Sequence, residues 1–440
     1  MGPNAHRSTS RVERAVLAAV EAGLVGQENP VAGFIDIDGV RSTVRDLHAA
    51  FEGTEVLHAF AAKASPLVPV LRLLADEGLG CEVASAGELA QALAAGFQPE
   101  RIVLDSPAKT QAELREALEL GVAVNADNLD ELKRLDVLVT PDTRAALGAR
   151  VNPQVGAGTI NAMSTASPNS KFGIPLDDPG SRDELIAAFA ARPWLTRLHV
   201  HVGSQGCPLD LIADGIHAVY QLAEEINANA GRHQVTSIDI GGGLPVNFAD
   251  DTVRPTFAEY AAVLRERVPG LFDGRYSLLT EFGRSLLGKN GFIIARVEYV
   301  KDAGGRRIAV THAGAHVATR TVFMPQAWPL RVVAFDASGR RKRDRPLRQD
   351  VAGPCCFAGD LVASERELPE LAEGDLVVLP DTGAYYFSSP FSYNSLPRPA
   401  VHGFRTTEGK TVFAPVRTGQ TVAEIVSESG AEHRDALLAR

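Results

Sequence analysis

The sequence predicts an α/β chain: a (β/α)8 barrel followed by a mostly antiparallel β domain that recruits the N-terminus. Three observations carry this. Short β-rich runs alternate with amphipathic helical stretches from about Val56 to Glu281, after Gly283 the pattern becomes strands separated by turns, and a strand-like segment, VAGFIDIDGV (31–40), precedes the alternation.

The barrel strands are expected in VLHAFAA, GLGCEVA, RIVLDS, GVAVNA, AALGARVN, LTRLHVHVG, SIDIGGG and SLLTEFG. Between them fall helices such as AGELAQALAAG, TQAELREALEL, LDELKRL and LDLIADGIHAVYQLAEEINANA, whose apolar residues recur at helical spacing. Roughly eight such units in about 230 residues suit a closed barrel better than an open sheet. The barrel is therefore assigned to residues 43–285, with residues 1–42 and 286–440 together forming the β-rich domain. Its strands are expected in FIIARVEYVK, RRIAVTHAG, LRVVAFD, DLVVLP and KTVFAPV.

Bulk properties narrow the function. A chain of 440 residues exceeds one ordinary domain, and a net charge of −10 argues against nucleic acid or an anionic membrane as the main partner. The basic run RRKRDRPLR (340–348) reads as an exposed loop. No segment reaches the roughly 18 apolar residues of a membrane span. The first residues, MGPNAHRSTSRVER, lack a signal peptide's apolar core, so a cytoplasmic location is expected. Cys81, Cys207, Cys355 and Cys356 form neither a disulfide framework nor a zinc spacing, and no metal is expected. The adjacent Cys355 and Cys356 read as one packing residue and one functional thiol.

Chemistry in a barrel gathers at the C-terminal strand ends. Lys63 closes the apolar run VLHAFAAKA, with no acid from Val56 to Ala75 to neutralise it. Burial there lowers an amine's pKa and frees it as a nucleophile, whereas a lone strand-end lysine more often keeps its head in solvent. His201, Gly203 and Ser204 end another strand, Gly241, Gly242 and Gly243 a third, and Glu281 with Arg284 a fourth. Consecutive glycines let backbone N–H groups approach an anion, although a tight turn uses them equally well. An amine, a flat ring, a phosphate cradle and a carboxylate together form the set a pyridoxal phosphate site requires.

The motifs resemble those of the fold-type III, alanine-racemase-like pyridoxal phosphate decarboxylases, which include diaminopimelate and ornithine decarboxylases. AAKAS resembles A-x-K-A-N with Ser65 for Asn, HVHVGSQ resembles H-x-G-S-Q, DIGGGLP the glycine loop, and EFGRS resembles E-P-G-R with Phe282 for Pro. KFG (171–173), GPCCFAGD (353–360), GAYYF (383–387) and YNSLPRP (393–399) resemble further family segments in the same order, over about residues 30–405. The resemblance implies that Lys63 binds the cofactor aldehyde as a Schiff base, His201 stacks on its ring, and Glu281 pairs with the pyridine nitrogen. It implies Ser204, Gly242, Gly243 and Arg284 at the phosphate, with Tyr385 at the same end. It also implies a homodimer with shared active sites, in which Cys356 of one subunit protonates the substrate carbon in the other after carbon dioxide leaves.

Departures from the family pattern concern the substrate. An acid follows the cysteine in the diaminopimelate and ornithine enzymes and receives the distal amine; here Phe357 stands there. The R-P-x-x-Y segment becomes RTVFM, which keeps Arg320 and places Met324 at the tyrosine position, and Asp105 replaces the histidine of H-G-N-N-K. Arg320, Met324, Phe357 and Tyr385 are thus the expected substrate-binding residues. The resulting expectation is decarboxylation of a non-standard diamino or dicarboxylic amino acid other than meso-diaminopimelate, with true diaminopimelate decarboxylation as the alternative. A racemase and an inactive binding protein are the remaining readings; the GPCC motif and a glutamate where alanine racemases carry arginine count against the first, and the presence of both Lys63 and Cys356 against the second.

Overall fold

The computed structural model describes residues 3–438, with side chains from residue 11 onward. Met1, Gly2 and the side chains up to Ser10, within the stretch read for a leader, lie outside the described residues. The chain forms two compact units, one of residues 41–246 and 253–286, the other of residues 1–40, 247–252 and 287–440.

The first unit is a closed parallel barrel of eight strands: Val56–Ala61, Gly80–Val83, Ile102–Asp105, Ala123–Ala126, Leu147–Asn152, Leu195–Val200, Ser237–Asp239 and Ser277–Thr280. The last strand pairs with the first, and the fourth with the fifth, so no edge is left open. A two-residue strand, Ile174–Pro175, attaches beside the fifth. Helices cover the outer face, and their starts are written locally. Thr110 with Glu113, and Thr256 with Glu259, form reciprocal capping boxes that satisfy the first free N–H groups. Gly121 ends its helix in the left-handed conformation, φ 82°.

Alternation along the strands sorts the barrel interior into layers. Ala59, Val103, Ala123 and Leu279, with Leu57 and Ala146, make an apolar cluster. Two residues further along the same strands, Asp105, Asn125 and Glu281 share that inward side and replace apolar packing with charge.

The second unit holds a mixed sheet in the order Leu361–Leu368, Leu347–Ala352, Arg306–Thr311, Gly291–Ala303, Val31–Asp36, Ala400–Thr407 and Lys410–Arg417. Leu376–Pro380 branches from Gly291–Ala303 and carries Val333–Phe335. Only Val31–Asp36 with Ala400–Thr407, and Arg306–Thr311 with Leu347–Ala352, pair in parallel among its described pairings. The N-terminal strand is therefore recruited between strands more than 250 residues away, as expected, although VAGFIDIDGV is strand only to Asp36 before helix Ile37–Ala50 begins. Its core stacks Phe34 on Phe292 at 5.2 Å and takes Ala15, Val16 and Ala19 from helix Pro3–Glu21, an i, i+1, i+4 stripe. The basic run is anchored: Arg341 pairs with Glu13 at 2.9 Å and Lys342 with Asp375 at 2.5 Å. No helix among the described residues is long and apolar enough to cross a membrane.

Candidate active site

Inside the barrel, at the C-terminal strand ends, lies a buried network of charge. Arg150 Nη1 reaches Asp105 Oδ2 at 2.8 Å, and His199 Nε2 lies 3.1 Å from the same oxygen. His199 Nδ1 lies 3.1 Å from Asp239 Oδ2, which also accepts the Asn125 amide at 3.1 Å. Asp239 Oδ1 accepts the Gly241 N–H at 3.0 Å and so reaches up to the glycine loop. The Asp105 carboxyl is held well below its usual range; burial opposes this, and Arg150 and His199 overcome it. On Glu281 burial prevails: its carboxyl is pushed well above the usual range, with Asp239 adding repulsion.

At the strand ends, Lys63 sits on a short turn, Ala62–Ala64, directly after the first strand. Its Nζ pairs with Glu82 Oε2 at 2.5 Å; the carboxylate is fully buried while the lysine side chain keeps 44% of its exposure. The expectation of an unneutralised, buried lysine is corrected here. The register pairs Ala61 with Glu82, so the neighbouring strand supplies the acid that the run around Lys63 lacks.

His201, half-buried just beyond its strand, accepts the Gly242 N–H on Nδ1 at 3.1 Å. That bond leaves the ring proton on Nε2. Burial, with Arg150 and Lys63 nearby, holds the ring's pKa well below its usual value, so His201 is a neutral flat surface. The loop above tolerates only glycine: a Cβ on Gly242 would lie 2.2 Å from the Glu281 carbonyl oxygen, and one on Gly243 (φ +100°) 2.1 Å from that of Gly203. Gly243 N–H makes no hydrogen bond among the described residues, whereas Gly242 N–H is engaged by His201. Ser204 is half-buried beside this loop's Gly203 contact, and Arg284 is buried three residues after Glu281.

The second unit brings together the remaining expected residues. Arg320 lies between two rings, its guanidinium carbon 4.3 Å from the Tyr385 centroid and 5.0 Å from that of Trp328. Its Nη1 is buried without a hydrogen-bond partner among the described residues. Cys356 is exposed, with its N–H donated to Asn394 Oδ1 at 2.7 Å, while Cys355 is buried and its thiol pushed up to about 11, mainly by burial. The two cysteines thus differ in burial, Cys355 inside and Cys356 open. Phe357 stacks on Phe323 with 5.5 Å between centroids and 7° between planes, and meets Tyr393 edge-on. Phe391 completes an aromatic cluster, and Met324 is exposed one residue after Phe323.

Sequence reasoning missed Glu82, Arg150, His199 and Asp239. A signal existed for one of them: the alternation in LTRLHVHV puts Arg197, His199 and His201 on one side of a strand. The others needed the strand register.

A buried carboxyl whose Oε1 has no partner among the described residues, a neutral imidazole and a glycine cradle together suit a protonated pyridine ring bearing a phosphate. Residues 37–288 match the family model of the pyridoxal-dependent decarboxylases, pyridoxal binding domain. The chain is 35% identical over 388 residues to the diaminopimelate decarboxylase of Pseudomonas aeruginosa, covering 86% of this chain and 87% of that one. It resembles the crystal structure of the Helicobacter pylori diaminopimelate decarboxylase complexed with L-lysine, with a TM-score of 0.79, 25% identity and coverage of 91% and 97%. A lysine/ornithine decarboxylase of Vibrio vulnificus complexed with putrescine shares the fold at a TM-score of 0.73 and 24% identity, over 89% and 97% of the two chains. This chain therefore belongs to the pyridoxal-dependent decarboxylase family and is a pyridoxal phosphate-dependent amino-acid carboxy-lyase.

Proposed function

We propose that the enzyme decarboxylates diaminopimelate, a diamino acid with a second carboxylate at its far end. The observation that carries this is likeness along nearly the whole chain, at 35% identity, to a protein of that activity. It reverses the order of the two substrate readings drawn from Phe357, Met324 and Asp105. Arg320 supports the same conclusion: a guanidinium pre-oriented between two rings, with a buried donor to spare, suits a carboxylate.

Pyridoxal phosphate supplies an electron sink for the pair released when the α-carboxylate leaves. In this reading Lys63 would hold the cofactor through its amine, and Glu82 would keep that amine oriented at the strand end. His201 offers its neutral face to the ring, and Glu281 receives the pyridine N–H. Ser204, Arg284 and the Gly243 N–H would hold the phosphate, and Gly242 would permit its approach by having no side chain; the family resemblance implies Tyr385 at the same end. Cys356 delivers the proton that replaces the lost carboxylate, from the second subunit of a homodimer. An exposed thiol on a short loop suits a donor that works outside its own subunit.

A second reading keeps the chemistry and changes the substrate. Phe357 stands where the resemblance places an acid for the distal ammonium, and its stack on Phe323 gives an apolar surface instead. A related amino acid without a distal ammonium suits that surface. Carbon dioxide release measured over meso-diaminopimelate, lysine, ornithine and acidic amino acids separates the two readings. Turnover of meso-diaminopimelate at least tenfold above every other candidate is the expected result; a preference for a substrate lacking the distal amine would overturn it. Mixing Lys63→Ala with Cys356→Ala protein tests the shared sites: each alone is inactive, and the mixture recovers up to about a quarter of wild-type activity if sites are shared.

A further inference from the structure

His199 has no part in the chemistry described above, yet it is fully buried between two carboxylates on different strands. Both ring nitrogens lie 3.1 Å from a carboxylate oxygen, Nε2 from Asp105 and Nδ1 from Asp239. A neutral imidazole has one N–H and one lone pair, so one of these contacts would set a lone pair against an anion. Neither contact is aligned as a hydrogen bond, so what they demand of the ring is charge, and only the imidazolium sets a positive group against both carboxylates.

The surroundings require a cation at this point. Asp105 faces His199 from the third barrel strand and Asp239 from the seventh, while Glu281, just after the eighth, lies 3.9 Å from Nε2. Against these anions stand Arg150 from the fifth strand, which the register sets beside His199, and Arg197 on the same strand. His201, just beyond the same strand, is held neutral by burial and nearby cations. Arg150 is directed at Asp105 Oδ2, and Arg197 acts on Asp239 and Glu281 without a close ion pair among the described residues; His199 is the cation within 4 Å of both. Asp239 in turn holds the Gly241 N–H at 3.0 Å. A chain of contacts thus runs from Asp105 through His199 and Asp239 to the glycine loop.

We propose that His199 is a positioning residue that remains an imidazolium throughout the working pH range, tying the phosphate loop and Glu281 to the barrel interior. The proposal rests on the pyridoxal phosphate site described above. The local charges agree with it: burial alone would keep the ring neutral, and Asp239, Glu281 and Asp105 together raise its pKa well above the usual value. Without that charge Glu281 holds its own proton more firmly, and Asp239 loses the partner that orients it toward Gly241.

The primary test is histidine 15N NMR of the full-length wild-type protein, apo and loaded with pyridoxal phosphate, from pH 6 to 9. One imidazole is expected to keep both N–H groups at pH 9 in both forms; if every histidine is singly protonated there, the proposal is overturned. The second test is His199→Gln, which keeps a hydrogen-bonding side chain but no charge. Its dissociation constant for pyridoxal phosphate is expected to rise about tenfold, equivalent to one pH unit of lost charge interaction. The pH profile of bound-cofactor absorbance is expected to shift with it. A folded variant with wild-type affinity and profile overturns the proposal, and if the variant does not fold, the wild-type NMR result decides. Wild-type protein that takes up no cofactor refutes the site itself, while the apo spectrum still decides whether His199 is charged.

Discussion

Lys63 and Glu82 form an ion pair of 2.5 Å in which the acid is fully buried and the amine is half open to solvent. The asymmetry suits an amine that must meet an incoming aldehyde while remaining fixed at a strand end. Burial raises the Glu82 carboxyl and Lys63 pulls it back, so the pair is mutually dependent. Lys63→Ala is expected to abolish borohydride trapping of pyridoxal phosphate and to lower decarboxylation by about three orders of magnitude or more. Glu82→Gln should retain the trapping, because the amine survives. Mass spectrometry of reduced, digested protein reads both outcomes; a label on Lys63→Ala protein would contradict the assignment.

Arg320 is held by stacking and keeps a buried donor, so its planar fork matters more than its charge. Arg320→Lys should raise KM for a dicarboxylic substrate by roughly 10–100-fold and leave kcat within about threefold. Steady-state kinetics on substrates with and without the second carboxylate check this. Equal losses on both would show that Arg320 supports the fold rather than the substrate.

Phe357→Glu replaces one face of the Phe323 stack with the acid that the family resemblance places there. Losing the aromatic pair should cost about 0.5–1.5 kcal/mol in stability. Activity on a substrate with a distal ammonium should rise about tenfold, as a charge is supplied to a cation. Thermal melts and kcat/KM for meso-diaminopimelate measure the two effects. Unchanged kinetics would place Phe357 outside the substrate site.

His58 lies buried against Thr280 Oγ1 at 2.8 Å, and burial depresses its pKa to about 3. An unfolded histidine titrates near 6.5, so as pH falls below that the unfolded chain gains a proton that the folded one refuses. Stability is therefore lost progressively from about pH 6.5 towards 3, by a few kcal/mol in all. His58→Phe should flatten urea-unfolding free energies over pH 4–6.5 relative to wild type. An unchanged slope would mean that His58 charges within the folded protein. His316, depressed to about 4 by burial, adds to the same window, as do His201 and His402, which burial also depresses.

Much of this molecule was written locally. Strand runs, capping boxes and glycine stops lie within a few residues of one another, so the barrel, the β-rich unit and the recruited N-terminal strand were legible in order. Lys63, His201, Glu281 and the glycine loop were legible too, because each ends a strand and a barrel's chemistry collects there. Which of Cys355 and Cys356 is exposed was not legible from local pattern; only the family resemblance singled out Cys356, and the fold shows it open to solvent.

Tertiary structure decided which charges meet. Glu82 neutralises Lys63 from 19 residues away, and His199 finds Asp105 and Asp239 through the register of separate strands. Arg320 meets Tyr385 across 65 positions, and Phe357 finds Phe323 across 34. A local pattern fixes which side of a strand a residue faces, because side chains alternate with a period of two. Which residue stands opposite depends on how strands align when the barrel closes, and the charge state of a buried group depends on what stands opposite. The cofactor chemistry could thus be read from the chain alone, whereas the electrostatics that tune it exist only in the folded protein.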